Sequence, residues 1–174
     1  KDNNHAWYKE KSFAVEDVAS LISLDWNFAK DNVQAYLNCK PIARSDGKTF
    51  KIIDRNFAKD TGNIYYYSFD GTEKYNIAKV PCDKETFRII DNYYSKDKDK
   101  VFFLGYTLKD ADPSSFEVLK SAYSRDKNFV YFKEKKIPGV DPLNFDVFKE
   151  NDSFSQDVHY AKNPAGVYVD DQKL

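Results

Sequence analysis

Tyr123-Ser124-Arg125-Asp126-Lys127-Asn128-Phe129-Val130-Tyr131-Phe132 is the stretch that decides the fold. An aromatic, a small residue and a base lead to an Asp; three residues follow, then an apolar–aromatic pair rich in β-formers. That order describes a β-hairpin closed by a type I turn, in which the Asp carboxylate accepts bonds from the turn's backbone N–H groups. Working outward, the same order returns as Phe28-Ala29-Lys30-Asp31, Phe57-Ala58-Lys59-Asp60 and Tyr94-Ser95-Lys96-Asp97, with a weaker copy at Tyr160-Ala161-Lys162-Asn163. Starts are 29, 37, 29 and 37 residues apart, so two copies carry an eight-residue insertion. The pairs that follow are Ala35-Tyr36, Ile64-Tyr65, Val101-Phe102, Val130-Tyr131 and Val167-Tyr168.

A second landmark holds the register. Asp46-x-x-x-Phe50, Asp83-x-x-x-Phe87, Asp112-x-x-x-Phe116 and Asp141-x-x-x-Phe145 share one spacing. Asp17-x-x-x-Leu21, with Ala6-Trp7 before it, makes a truncated first copy. Asp112-Pro113 and Asp141-Pro142 read as a capping Asp with Pro in the first turn of a short helical segment. Registered self-similarity of this extent is a repeat architecture. The expected fold is mainly β, within the β-rich α+β class: tandem β-hairpin repeats with short helical turns, stacked to bury a common core. The reading gives a single repeat domain over 1–174. It has a partial unit 1–27, full units 28–56, 57–93, 94–122 and 123–159, and a partial unit 160–174. The apolar spacing of Val15–Leu24 also predicts a helix of two to three turns.

Composition narrows the function classes. The 174 residues include 27 basic and 28 acidic ones, with aromatics at 17%. That aromatic content supplies a core, and the near-neutral charge argues against a nucleic-acid binder with a basic stripe. No uncharged stretch approaches the length of a membrane span. The chain starts at Lys1 and has no Met, which reads as a processed mature protein or a trimmed fragment.

The residues from Tyr123 to Phe132, with Ile137-Pro138-Gly139-Val140-Asp141-Pro142-Leu143-Asn144-Phe145 after them, resemble the DKNYY repeat family. Tyr94–Leu119 is nearly as similar, with Asp99 for the Asn, whereas Asp31-Asn32-Val33 and Asp60-Thr61-Gly62 depart further. The resemblance implies a bacterial source and an exported protein, in the periplasm, as an outer-membrane lipoprotein or on the cell surface, with a lipid anchor upstream of Lys1. The family carries no settled activity.

Candidate chemistry is sparse. His5 and His159 are the only histidines, and no convergent catalytic set forms around them. Asp97-Lys98-Asp99 and Asp170-Asp171 lack the Gly and downstream Glu of a calcium loop, and lysines interleave with the first. No cofactor or metal is expected. Cys39 and Cys82 read either as a disulfide, closing about 43 residues for roughly 4 kcal/mol, or as two buried thiols. A basic–aromatic ladder is the remaining candidate. With three-residue loops, Lys30 would face Tyr36, Lys59 Tyr65, Lys96 Phe102 and Arg125 Tyr131, as a binding face or as stems covering rings. A four-residue loop would change every partner. The resulting expectation is a non-catalytic cell-envelope binding or scaffold protein whose partner is another protein or a glycan. An immunity protein neutralising a bacterial toxin is the alternative, and a hydrolase ranks last.

Overall fold

A computed structural model of the chain describes residues 5–8, 10–69, 71, 74–120, 122–149 and 160–174. The chain divides into two compact units, Lys1–Pro81 and Cys82–Leu174. In the first unit a two-stranded hairpin, His5–Tyr8 with Lys11–Ala14, precedes two four-stranded antiparallel sheets. One sheet runs Ile22–Ser23, Phe28–Lys30, Ala35–Leu37, Lys40–Pro41; the other Lys51–Asp54, Phe57–Lys59, Ile64–Phe69, Tyr75–Val80. The second unit holds three more such sheets, whose central hairpins are Tyr94–Lys96/Val101–Phe103, Tyr123–Arg125/Val130–Phe132 and Tyr160–Asn163/Gly166–Val169. The fold is therefore mainly β, a tandem array of hairpin repeats. Each four-stranded sheet begins on the residue after a landmark apolar residue, Leu21 in the first copy and Phe in the others, at Ile22, Lys51, Arg88, Glu117 and Asp146.

The recurrent turn Asp closes its own hairpin and ties it to the chain before it. Asp60 Oδ1 accepts from the N–H groups of Gly62 at 2.7 Å and Asn63 at 2.6 Å. Its Oδ2 accepts from Asp46 N–H at 2.9 Å and the Tyr65 hydroxyl at 2.7 Å. Asp31 repeats the set with Val33, Gln34, Asp17 and Tyr36, and Asp126 with Asn128, Phe129, Asp112 and Tyr131. Asp97 keeps three donors, Asp99, Lys100 and Asp83, because Phe102 has no hydroxyl. Buried carboxylates are tolerated when several donors surround them, and all four are buried.

The second landmark Asp caps a short turn and answers the first. Asp46 accepts from Thr49 Oγ1 at 2.6 Å, and Thr49 Oγ1 in turn accepts from Thr61 N–H at 2.9 Å, just past Asp60. Ser20 and Ser115 make the same bridge to Asn32 and Lys127, and Thr86 Oγ1 accepts from Lys98 N–H in the same way. The landmark aromatic then packs between consecutive hairpins. Phe50 lies 5.7 Å from both Phe28 and Tyr65, Phe116 lies 5.4 Å from Tyr94 and 6.3 Å from Tyr131, and Phe145 lies 5.3 Å from Tyr123 and 5.8 Å from Tyr168. Within each unit, neighbouring repeats stacked in this way bury shared core residues.

One element differs from expectation. Val15–Leu24 holds only a 3₁₀ turn, Val18–Ser20. The Asp17 side chain is engaged with Ser20, and Ile22–Ser23 must be extended to pair with Lys30 and Ala29. Sheet pairing overrides the local apolar spacing.

Candidate functional site

The basic–aromatic ladder is corrected by the loops. Residues 31–34, 60–63, 97–100 and 126–129 separate the last strand pairs, which are Lys30 with Ala35, Lys59 with Ile64, Lys96 with Val101 and Arg125 with Val130. Tyr36, Tyr65, Phe102 and Tyr131 stand opposite Ala29, Ala58, Ser95 and Ser124, and all four rings are buried. The four-residue loop moves each base one place along and onto the other face of the strand. The bases instead hold the short turns: Lys30 Nζ donates to Phe50 O at 3.0 Å, Lys96 Nζ to Pro113 O at 2.8 Å and Arg125 Nη1 to Pro142 O at 2.8 Å.

Burial raises the Tyr65 and Tyr131 hydroxyls, and the charges of Asp60 and Asp126 raise them further, so both stay neutral donors. Burial opposes ionisation of Asp31 and Asp60, yet their hydrogen bonds outweigh it and hold both carboxyls below the usual range.

Cys39 and Cys82 are both half-buried thiols, so of the two readings the one without a disulfide holds. Each belongs to the local structure of its own repeat: Cys39 has φ +66° in the Asn38-Cys39 turn, and Cys82 directly precedes the capping Asp83. Burial, then the nearby Asp97 charge, pushes the Cys82 thiol up to about 11. His5 lies exposed in the first strand, and His159 lies outside the described residues. Asp97 is consumed by its turn, Lys98 pairs with Asp83 at 2.9 Å, and Asp171 pairs with Lys135 at 2.9 Å. Among the described residues no three or more His, Cys, Asp or Glu side chains gather as a metal set.

What sequence reasoning missed is an edge where the hairpin ends open to solvent. In the first unit a cleft of about 160 Å³ is lined by both tryptophans, Trp7 and Trp26, with Phe13, Asp25, Asn27 and Asn38 among its other walls. Asp25 Oδ1 accepts from the N–H groups of Asn27 at 2.7 Å and Phe28 at 2.6 Å. This tight turn leaves the intervening Trp26 83% exposed. The Asn27 and Asn38 backbones bond to each other at 2.7 Å. Among the described residues their half-buried side-chain amides have no hydrogen-bond partner.

A second cleft, of about 560 Å³, adjoins the first and shares Asp25 and Asn27 with it. Its Asp54, Arg55, Asn56, Tyr67 and Ser68 stand one 29-residue repeat after Asp25, Trp26, Asn27, Asn38 and Cys39. The two clefts are thus the same site in successive copies, and exposed Phe69 adds an aromatic to the second. In the second unit the matching turns carry exposed Tyr93 and Tyr106, and Tyr106 lines a cleft of about 300 Å³. The signal available in the sequence was departure from the repeat: Trp26 stands where other copies have Arg55 and Asn92.

The DKNYY family model matches residues 1–69 and again 67–135. No curated protein and no solved structure matches the chain. The chain belongs to the DKNYY family.

Proposed function

We propose that this DKNYY family member is a non-catalytic binding or scaffold protein of the bacterial cell envelope, with the hairpin-end edge of its first unit as the contact surface. One contrast carries the reading. The recurrent carboxylates Asp31, Asp60, Asp97 and Asp126 are occupied by turn hydrogen bonds, whereas exposed Trp7, Trp26 and Phe69 of the first unit line two adjoining clefts at the hairpin ends. Exposed aromatics grouped in adjoining clefts are the usual mark of a contact site, since folding alone gives no reason to leave them in water. The envelope location rests on the family resemblance; no helix among the described residues is long and apolar enough to cross a membrane.

Retention on isolated bacterial envelope fractions tests the reading. The wild-type protein is expected to be retained saturably, with the bound material recovered chemically unchanged. A protein carrying Trp26→Arg and Phe69→Lys is expected to wash through with its melting temperature unaltered. Each change installs the residue found one repeat away, at Arg55 or Lys40. Wild-type protein that washes through, or that cleaves the material, would overturn the proposal.

A further inference from the structure

We propose that the paired clefts of the first unit bind a neutral oligosaccharide, adjacent pyranose rings occupying adjacent clefts. The inference rests on the reading of the chain as a binding protein and names the ligand of that same edge.

Charge is the first argument. Among the described residues Asp25 is the one charged residue lining the first cleft, and the second adds Asp54 and Arg55. Described walls that carry a net negative charge give no attraction to nucleic acid or any other polyanion, whose affinity comes from basic side chains. The mixture of wall chemistries is the second argument. A pyranose has an apolar C–H face that packs on an indole and a rim of hydroxyls that each donate and accept. Trp7 and Trp26 supply the faces, and the unpartnered amides of Asn27 and Asn38 supply paired donors and acceptors. A purely apolar occupant would leave those half-buried amides dry and unsatisfied, which costs affinity.

Periodicity is the third argument. Equivalent residues recur after 29 positions, and Asp25 and Asn27 belong to both clefts. Contiguous copies of one site suit a ligand that itself repeats, and linking two weak contacts multiplies affinity without new chemistry.

The chain offers a direct readout, because its only two tryptophans both line this cleft. Tryptophan emission of the full chain would be titrated with cellotetraose, maltotetraose and chitotetraose, and with their monosaccharides. At least one tetrasaccharide is expected to shift the emission saturably, binding at least about tenfold tighter than its monosaccharide. Trp26→Arg should lower that affinity at least about tenfold, and so should Asn27→Ala combined with Asn38→Ala, with melting unchanged. Isothermal calorimetry follows the Trp26 variant, whose emission is reduced. No response to any tetrasaccharide up to about 10 mM would overturn the inference. So would a response confined to a neutral Phe-rich peptide. In both cases retention on envelope fractions could persist, so loss of the sugar inference is distinguishable from loss of the binding reading.

Discussion

The Tyr65 hydroxyl donates to Asp60 Oδ2 at 2.7 Å, five residues back across its own hairpin, and the same oxygen accepts the Asp46 N–H at 2.9 Å. One carboxylate therefore closes a turn, anchors a buried phenol and grips the preceding landmark. Removing it as Asp60→Ala strands four donors, and chemical denaturation is expected to show a loss of about 3–5 kcal/mol. Tyr65→Phe reproduces the arrangement around Asp97 and should cost only about 1 kcal/mol. Equal losses for the two variants would mean that the backbone donors contribute nothing.

Phe116 touches Tyr94 on one side and Tyr131 on the other. Phe116→Ala opens a cavity between two sheets at once, with an expected cost of about 3–5 kcal/mol in equilibrium unfolding. Hydrogen exchange should quicken in both flanking hairpins, 94–103 and 123–132. Acceleration confined to one of them would show that the ring serves a single sheet.

Ser95 Oγ is the only buried side-chain polar atom without a partner among the described residues, whereas Ser124 Oγ donates to the Tyr94 hydroxyl at 3.3 Å. The same position holds Ala29, Ala58 and Ala161 in other copies. Ser95→Ala is expected to raise stability by about 1 kcal/mol, and Ser124→Ala to lower it by a similar amount. Thermal melts of the two variants moving in the same direction would contradict this.

Acid should unfold the protein through its turn carboxylates. The carboxyls of Asp31 and Asp60 lie below the usual range when folded, their hydrogen bonds outweighing burial. On acidification the unfolded chain therefore takes up protons first. The stability these groups contribute is complete above about pH 4 and is lost as pH falls through the folded values. A pH series of denaturation midpoints should fall steeply below that point, and the fall should be shallower in Asp60→Asn.

Much of the construction was legible in the order of residues alone. A turn Asp followed by three residues and an apolar–aromatic pair dictates a hairpin, because short-range hydrogen bonds and strand alternation are local properties. The Asp-x-x-x-Phe landmark likewise announced a capped turn and a core aromatic. Loop closure was not legible, since three- and four-residue loops suit nearly the same letters yet put Lys30 opposite different partners. That one-place difference sent Tyr36, Tyr65, Phe102 and Tyr131 into the core and turned Lys30, Lys96 and Arg125 into clamps on carbonyls. The edge clefts were hidden for a related reason. Trp7 occupies the sequence position of buried Tyr36 but stays exposed, and Asn27 and Asn38 meet only after two turns of one sheet are brought side by side. The sequence by itself determined the repeat and the bonds within each turn; which aromatics are covered and which face water was decided by packing between hairpins, a non-local property.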